Sequence, residues 1–270
     1  MAGDSFEAFA TAYDAGRSQI VFRRVVADLE TPIGAYLKLS EGRRNTFLLE
    51  SVQDGATKGR YSMIGFDPDI ILRVEAGKAS INRNANVTPE AFAPLATPPL
   101  EALRALVAES QTDVPEGLPS TAAGIYGYLG YDMVRLMEVL PDSNTETLGL
   151  PDAILMRPSV LAIFDTLKDE LYLTAPVYRR AGITARQAWE SAHSRIDDAT
   201  ARLSRTLPYA TGLPDLGGIA ITSNTSKEQY AAMVAAAKEY IRAGDIFQVV
   251  LSQRFEARFD LPPTALYRAL

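Results

Sequence analysis

Two neighbouring stretches of the sequence carry side chains that could bind an amino acid. The run Phe47–Ser51 ends an apolar segment with a carboxylate, Glu50, and a hydroxyl, Ser51. A segment containing the cations Lys58 and Arg60 follows after a short loop. If the two segments pair as strands, the carboxylate could receive an ammonium group and a cation could receive a carboxylate. Composition alone favours the alternative, a surface ion pair beside a turn, worth about 0–1 kcal/mol.

A polar row is predicted near the end of the chain. Residues 245–259 have the pattern of a long strand that begins after a glycine. Because side chains alternate between the two faces of a strand, one face would carry Gln248, Ser252 and Arg254. Such a row lines either a polar pocket or a solvent-exposed face, and composition does not separate the two.

Two further features are weaker signals of chemistry. The glycines of the run 124–130 follow the spacing G-x-x-G-x-x-G, which differs from the dinucleotide-binding pattern G-x-G-x-x-G. Close backbone packing in a strand is therefore favoured for these glycines. The single histidine, His193, lies on a predicted helix without a nucleophile motif nearby, so a packed helix residue is favoured over a catalyst.

The composition excludes several kinds of site. The 270 residues contain no cysteine and one histidine, so disulfides, cysteine-ligated zinc and multi-histidine metal sites cannot form within them. A metal would need oxygen ligands, as Mg²⁺ and Ca²⁺ do. The net charge is −6 without a basic run, which argues against nucleic-acid binding. Without a long apolar run or a signal-peptide pattern, we expect a cytoplasmic protein that does not span a membrane.

The order of predicted elements indicates a mixed α/β fold of the α+β type, with mostly antiparallel sheets packed against helices. Turn residues separate short β-rich runs, which predict strands at 20–27, 35–39, 46–51, 60–66, 70–75, 79–82, 122–129, 159–165, 171–177 and 219–222. Helices are predicted near the start of the chain and from about 98, 133, 185, 227 and 262. Capping boxes are predicted at Thr184 with Gln187 and at Ser226 with Gln229.

The sequence predicts two domains joined by a linker. Residues 208–218 contain two prolines and three glycines and are the predicted linker between 1–207 and 219–270. The second part is too short to close an independent core. We therefore expect either a truncated chain or a second domain that depends on the first. Phe247, Val249 and Leu251 would then be partly uncovered, and the isolated chain would be poorly soluble.

Four stretches follow one another in a recognisable order. They are FLLESV at 47–52, GRYSMIGFDPD at 59–69, GIYGYLGYD at 124–132 and YIRAGDIFQVVLSQRF at 240–255. Together they resemble the N-terminal half of the anthranilate synthase large subunit (component I), a family of chorismate-utilising enzymes. The resemblance runs from Phe6 to Leu270, and the last stretch is the most specific because it matches over 16 consecutive positions.

The resemblance implies a reaction and a set of partners. The family makes anthranilate and pyruvate from chorismate and ammonia in tryptophan biosynthesis, and it requires Mg²⁺. A glutamine amidotransferase subunit (component II) supplies the ammonia, and tryptophan inhibits the enzyme. The implied fold has two large, mostly antiparallel sheets around helices. Residues 1–207 would be its N-terminal regulatory region, and 219–270 would begin the chorismate-binding catalytic domain.

The resemblance also implies roles for individual residues. The Leu-Leu-Glu-Ser element belongs to the family's tryptophan effector site, so Glu50 and Ser51 become effector-site candidates, with Arg60 or, less favoured, Lys58 as a third member. This reverses the interpretation from composition. Gln248 matches the position where water-adding relatives carry a lysine general base, so we expect Gln248 to line the chorismate pocket without transferring a proton.

The family's catalytic histidine and its Mg²⁺-binding glutamates lie downstream of Leu270, so the 270 residues alone are expected to be inactive. Two other functions stay open. One is the sister enzyme that makes aminodeoxychorismate, although the Leu-Leu-Glu-Ser element and the run 244–248 favour anthranilate. The other is a non-catalytic regulatory and partner-binding fragment.

Overall fold

The computed structural model describes residues 5–53, 57–141, 148–207 and 218–270. The chain divides into two compact units, Met1–Pro208 and Tyr209–Leu270. The predicted linker, apart from Gly218, lies outside the described residues. The roles proposed for the two domains stay predictions.

The first unit is built on one eight-stranded sheet in which every pairing is antiparallel. Its strands are β1 (Gln19–Val26), β2 (Phe47–Gln53), β3 (Thr57–Glu75), β4 (Lys78–Asn82), β5 (Ala93–Pro94), β6 (Tyr126–Leu129), β7 (Ala153–Asp165) and β8 (Glu170–Val177). The strand order is β1-β8-β7-β3-β4-β5, with β2 beside β3 and β6 beside β7. The predicted α+β fold class is confirmed.

The centre of the sheet is the pairing of the long strands β3 and β7, which runs from Tyr61↔Asp165 to Val74↔Ala153. The register shifts between Pro68 and Ile70. The sequence predicts a turn here between two separate strands, and that prediction is wrong. The turn-forming residues instead produce a local irregularity, with Asp67 in the left-handed region at φ 48°.

Four α-helices belong to the first unit: α1 (Phe6–Asp14), α2 (Pro32–Ser40), α3 (Pro99–Glu109) and α4 (Ala185–Leu203), with a short 3₁₀ helix at Tyr131–Leu136. Helix α2 replaces the strand predicted at 35–39. The Thr31 hydroxyl accepts a hydrogen bond from the Gly34 N–H, and a proline follows Thr31 at the first helical position. Both features favour a helix start over a turn.

Both faces of the sheet are covered by apolar side chains. Helices α1, α2 and α4 pack on one face, where Phe9, Leu39 and Ile196 contact the cluster around Ile64. On the other face, Ala122 packs within a second cluster that includes Ile163. Helix α3 covers the end of the sheet near β4 through a third cluster.

The second unit contains α5 (Lys227–Ala243), α6 (Pro263–Ala269) and an antiparallel pair, β9 (Ile221–Ser223) with β10 (Phe255–Ala257). The strand predicted over 245–259 is present only in β10, so the prediction is wrong for 245–254 and for 258–259. A strand needs a neighbour to satisfy its backbone groups, and the described residues supply one only at β9. Across the described ranges, no helix has the length and apolar character needed to cross a membrane.

Candidate functional site

The predicted effector residues lie where β2 meets the beginning of β3. The segments pair as strands, with Glu50 opposite Ser62 and Val52 opposite Lys58. Between these two pairs the register shifts, and Ser51 faces the extra residues of β3. This arrangement is a β-bulge, a feature that re-aims side chains at the end of a sheet.

Gly59 allows the two strands to approach at the bulge. A Cβ atom built on Gly59 would lie 2.3 Å from the Cβ and Oγ atoms of Ser51 and 2.5 Å from its carbonyl oxygen. Ser51 therefore occupies the space that any side chain at position 59 would need. This contact explains why a glycine, Gly59, stands at the beginning of the run GRYS.

Arg60 follows the glycine and is held by a buried carboxylate. Its Nε donates to Oδ1 of Asp165 at 3.1 Å, and its Nη2 donates to Oδ2 at 2.8 Å. The side chain of Asp165 is 2% exposed, whereas that of Arg60 is 45% exposed. The bond from Arg60 lowers the pKa of Asp165, and the same bond raises the pKa of Arg60. A guanidinium has five N–H donors, so the two bonds to Asp165 orient Arg60 without exhausting it.

The remaining predicted site residues lie on β2, on β3 and in the second unit. Glu50 and Ser51 are exposed at the end of β2. Lys58 pairs through its backbone with Val52, but its side chain lies outside the described residues. Gln248 belongs to the second unit, where it is exposed in a segment without regular secondary structure.

Asp165 was missed by the sequence analysis, although it orients a predicted site residue. It ends the apolar strand β7 and lies 105 positions from Arg60. A charged residue at the end of a buried strand is a signal that a partner is needed, but it does not identify that partner. The same applies to Arg157, which interrupts the apolar run of β7.

The described residues offer no site for a metal ion. In these ranges no three His, Asp or Glu side chains cluster closely enough to hold one. The part of the chain that the structure describes therefore does not fit the Mg²⁺ that the resemblance implies.

The family of chorismate binding enzymes matches residues 45–270. Anthranilate synthase component 1 of Cereibacter sphaeroides is 49% identical over 267 residues, which cover 98% of this chain and 53% of that protein. The protein of the same description from Thermus thermophilus is 40% identical over 245 residues, covering 91% of this chain and 49% of that protein.

A solved structure, anthranilate synthase component I from Streptococcus pneumoniae, shares the fold. It aligns with a TM-score of 0.63 at 24% identity, covering 92% of this chain and 52% of that one. The chain thus spans about half the length of the relatives it matches.

Proposed function

The chain belongs to the family of chorismate binding enzymes, and from that membership we propose that it is the first part of an anthranilate synthase component 1. The observation that carries the proposal is the 49% identity to the Cereibacter sphaeroides protein, which extends over 98% of the chain. The match therefore includes both the sheet of the first unit and the residues of the second.

The proposed reaction is that of a lyase in the cytoplasm, which converts chorismate and ammonia into anthranilate and pyruvate. A glutamine amidotransferase subunit supplies the ammonia. Mg²⁺ is required, and we expect its ligands among residues downstream of Leu270. We expect the 270 residues alone not to turn over chorismate, even with free ammonia and Mg²⁺; anthranilate formation by the chain alone would overturn that expectation.

The β-bulge between β2 and β3 is proposed to form part of a tryptophan effector site. Glu50 provides a carboxylate for the ammonium group, and Arg60 or Lys58 provides a cation for the carboxylate. Arg60 is the stronger candidate because Asp165 fixes its guanidinium at the bulge. Ser51 lies directly against Gly59, so a larger side chain at position 51 would fill the space above the bulge.

The effector assignment is tested with Ser51→Phe in the full-length protein. We expect the tryptophan concentration for half-inhibition to rise at least tenfold, because the phenyl ring would fill the space above the bulge and keep tryptophan from Glu50 and Arg60, and one such charge-assisted contact contributes roughly 1.5–3 kcal/mol. Uninhibited turnover should stay within about twofold. Ser194→Phe, at an exposed position on α4, is the matched control. Full tryptophan sensitivity in Ser51→Phe would exclude the assignment.

Product identity tests the reaction itself. Anthranilate is distinguished from aminodeoxychorismate by its fluorescence and mass. Gln248 is proposed to line the chorismate pocket without transferring a proton, so Gln248→Ala should raise the KM for chorismate and leave the pH profile of kcat unchanged. A shifted pH profile would indicate proton transfer by Gln248.

A further inference from the structure

A cavity of about 370 Å³ lies within the first unit, away from the β2–β3 bulge. Its walls include Tyr13 of α1, Asp69 of β3, Arg195 of α4, and Tyr178 and Arg180, which follow β8. Glu50, Ser51 and Arg60 do not line it. The cavity is therefore separate from the proposed effector site.

One lining residue, Asp69, forms an ion pair with a buried arginine, Arg157, which is not itself part of the cavity lining. Asp69 occupies the position where the register of β3 shifts against β7. Its Oδ1 accepts from Arg157 Nε at 2.8 Å, and its Oδ2 accepts from Arg157 Nη2 at 2.7 Å. Arg157 is 4% exposed and also lies 4.0 Å from the centre of the Tyr178 ring. One arginine thus uses both carboxylate oxygens.

Two other arginines, Arg180 and Arg195, line the cavity itself. Arg180 Nη2 donates to Oδ2 of Asp69 at 2.5 Å, and its side chain is 56% exposed, which places it at the opening to solvent. Arg195 donates to the backbone carbonyls of Ser159 at 2.8 Å and Pro176 at 3.4 Å. Of the described residues that line the cavity, Asp69 is the only one with a carboxylate.

The cluster therefore carries more positive than negative charge. Of the charged described residues that line the cavity, Arg180 and Arg195 are positive and Asp69 is negative, which leaves one net positive charge. Burial lowers the pKa of Arg195, attraction to Asp69 raises it in part, and repulsion from Arg180 lowers it. Uncompensated charge in a partly buried site is unfavourable, and an entering anion would relieve it.

Tyr178, a residue of the cavity wall, carries a donor without an acceptor among the described residues. The Tyr178 hydroxyl is buried and has no hydrogen-bond partner among the described residues. Burial raises the pKa of Tyr178 to about 12, so the hydroxyl keeps its proton at neutral pH. Ile183 and Ala188 add apolar surface to the same walls.

From this arrangement we propose that the cavity binds a small organic anion with an apolar body. Its carboxylate or phosphate oxygens accept hydrogen bonds from Arg180, Arg195 and the Tyr178 hydroxyl, and its apolar part packs against Ile183 and Ala188. A carboxylate and a phosphate ester share this chemistry, and the binding experiment separates them.

The test is calorimetric titration of the 270-residue chain with three probes: benzoate, its neutral isostere benzamide, and inorganic phosphate. We expect saturable binding of benzoate and at least tenfold weaker binding of benzamide. Phosphate binding as tight as benzoate binding would identify a phosphate group as the preferred ligand, and weaker phosphate binding would identify a carboxylate. Absence of saturable binding by both anions would overturn the proposal.

Two variants localise the binding. Arg180→Gln should weaken benzoate binding at least fivefold, whereas Arg44→Gln, with the same charge change at an 83% exposed side chain outside the cavity, should leave it unchanged. Tyr178→Phe should weaken binding at least threefold without loss of folding, because the hydroxyl has no partner to lose. The proposal would be refuted if Arg180→Gln and Arg44→Gln bound benzoate with equal affinity. It would also be refuted if the unsubstituted chain bound benzoate and benzamide with equal affinity.

Discussion

The close approach at Gly59 allows a direct test of how the sheet holds Ser51. Alanine at position 59 would place its Cβ 2.3 Å from the Ser51 Cβ and 2.5 Å from the Ser51 carbonyl oxygen. Ordinary contact begins at 3.4 Å, so the strands would have to separate by about 1 Å. Gly59 does not have a positive φ, so the cost of the substitution is steric rather than conformational.

The expected loss of stability follows from the contacts that β2 and β3 would lose or compress. Two backbone pairs lie beyond the bulge, Val52↔Lys58 and Gln53↔Thr57. Releasing them loses hydrogen bonds with a net value of about 0.5–1.5 kcal/mol each. Keeping them compresses the bulge, which costs about 1–3 kcal/mol. By either route, Gly59→Ala should lower the free energy of unfolding by about 1–3 kcal/mol.

Urea unfolding of the 270-residue chain measures this loss. The control is Gly218→Ala, since Gly218 has no positive φ and no heavy atom within 4 Å of the added Cβ. The double variant Ser51→Gly/Gly59→Ala removes the side-chain contacts and keeps the carbonyl contact, so it should recover only part of the loss. In the full-length protein, Gly59→Ala should also weaken tryptophan inhibition.

The result that would refute this reasoning is a Gly59→Ala chain whose unfolding free energy lies within about 0.5 kcal/mol of the Gly218→Ala control, the usual spread for substitutions without a structural consequence. Such a result would mean that the strands do not approach at Gly59. A loss of stability with unchanged tryptophan inhibition would keep the bulge and reject its role in the effector site.

Three other substitutions test separate parts of the first unit. Arg60 lowers the pKa of Asp165 in the folded chain. The unfolding free energy of the original chain should therefore exceed that of Asp165→Asn by its full amount above the unfolded pKa of about 3.9, and this difference should decline as the pH falls through the lower folded pKa. A difference, measured by urea unfolding, that stays constant down to about pH 2 would contradict this. Gly127→Ala would place a Cβ 1.9 Å from the Ile154 carbonyl oxygen at φ 153°, and should cost about 3 kcal/mol or more; a loss under about 1 kcal/mol would exclude the close contact. Thr184→Ala removes one half of a capping box and should cost about 1 kcal/mol in the same assay, whereas Thr184→Ser should be neutral.

Local signals at helix ends were sufficient to predict several features of the fold. The capping boxes at Thr184 and Ser226 are present as expected. Gly244 ends α5 in the left-handed conformation, at φ 83°. These features depend on residues within one turn of each other, so the sequence contains all the information that determines them.

Ambiguous local signals explain two errors in the predicted fold. Thr31 before a proline fits both a turn and a helix start, and in the structure Thr31 caps α2. The Asp67-Pro68 pair fits a turn, but long pairing with β7 keeps β3 continuous through it. The local helix cap decides the first case, and the tertiary pairing with β7 decides the second. The periodicity of apolar residues within one segment indicates neither of them.

The candidate site was predictable only where its members are close in sequence. Ser51 and Arg60 are separated by one short loop, so their pairing across the bulge could be anticipated. Asp165 contacts Arg60 only because β7 runs beside β3. The long-range pairing of these strands, rather than a motif, brings that carboxylate to the site.

The pairing of β1 with β8 has a consequence for how the protein is made. Among the described residues, strand β1 is joined to the sheet only through β8, with Gln19 opposite Val177. At a synthesis rate of about 5–20 residues per second, the partner of β1 emerges from the ribosome roughly 8–30 s later. During that interval the apolar residues of β1, including Ile20 and Val21, lack their final neighbours. The nascent chain therefore has an unpaired, aggregation-prone strand for much of its synthesis, and its yield in cells should depend on chaperones that shield this strand until β8 arrives.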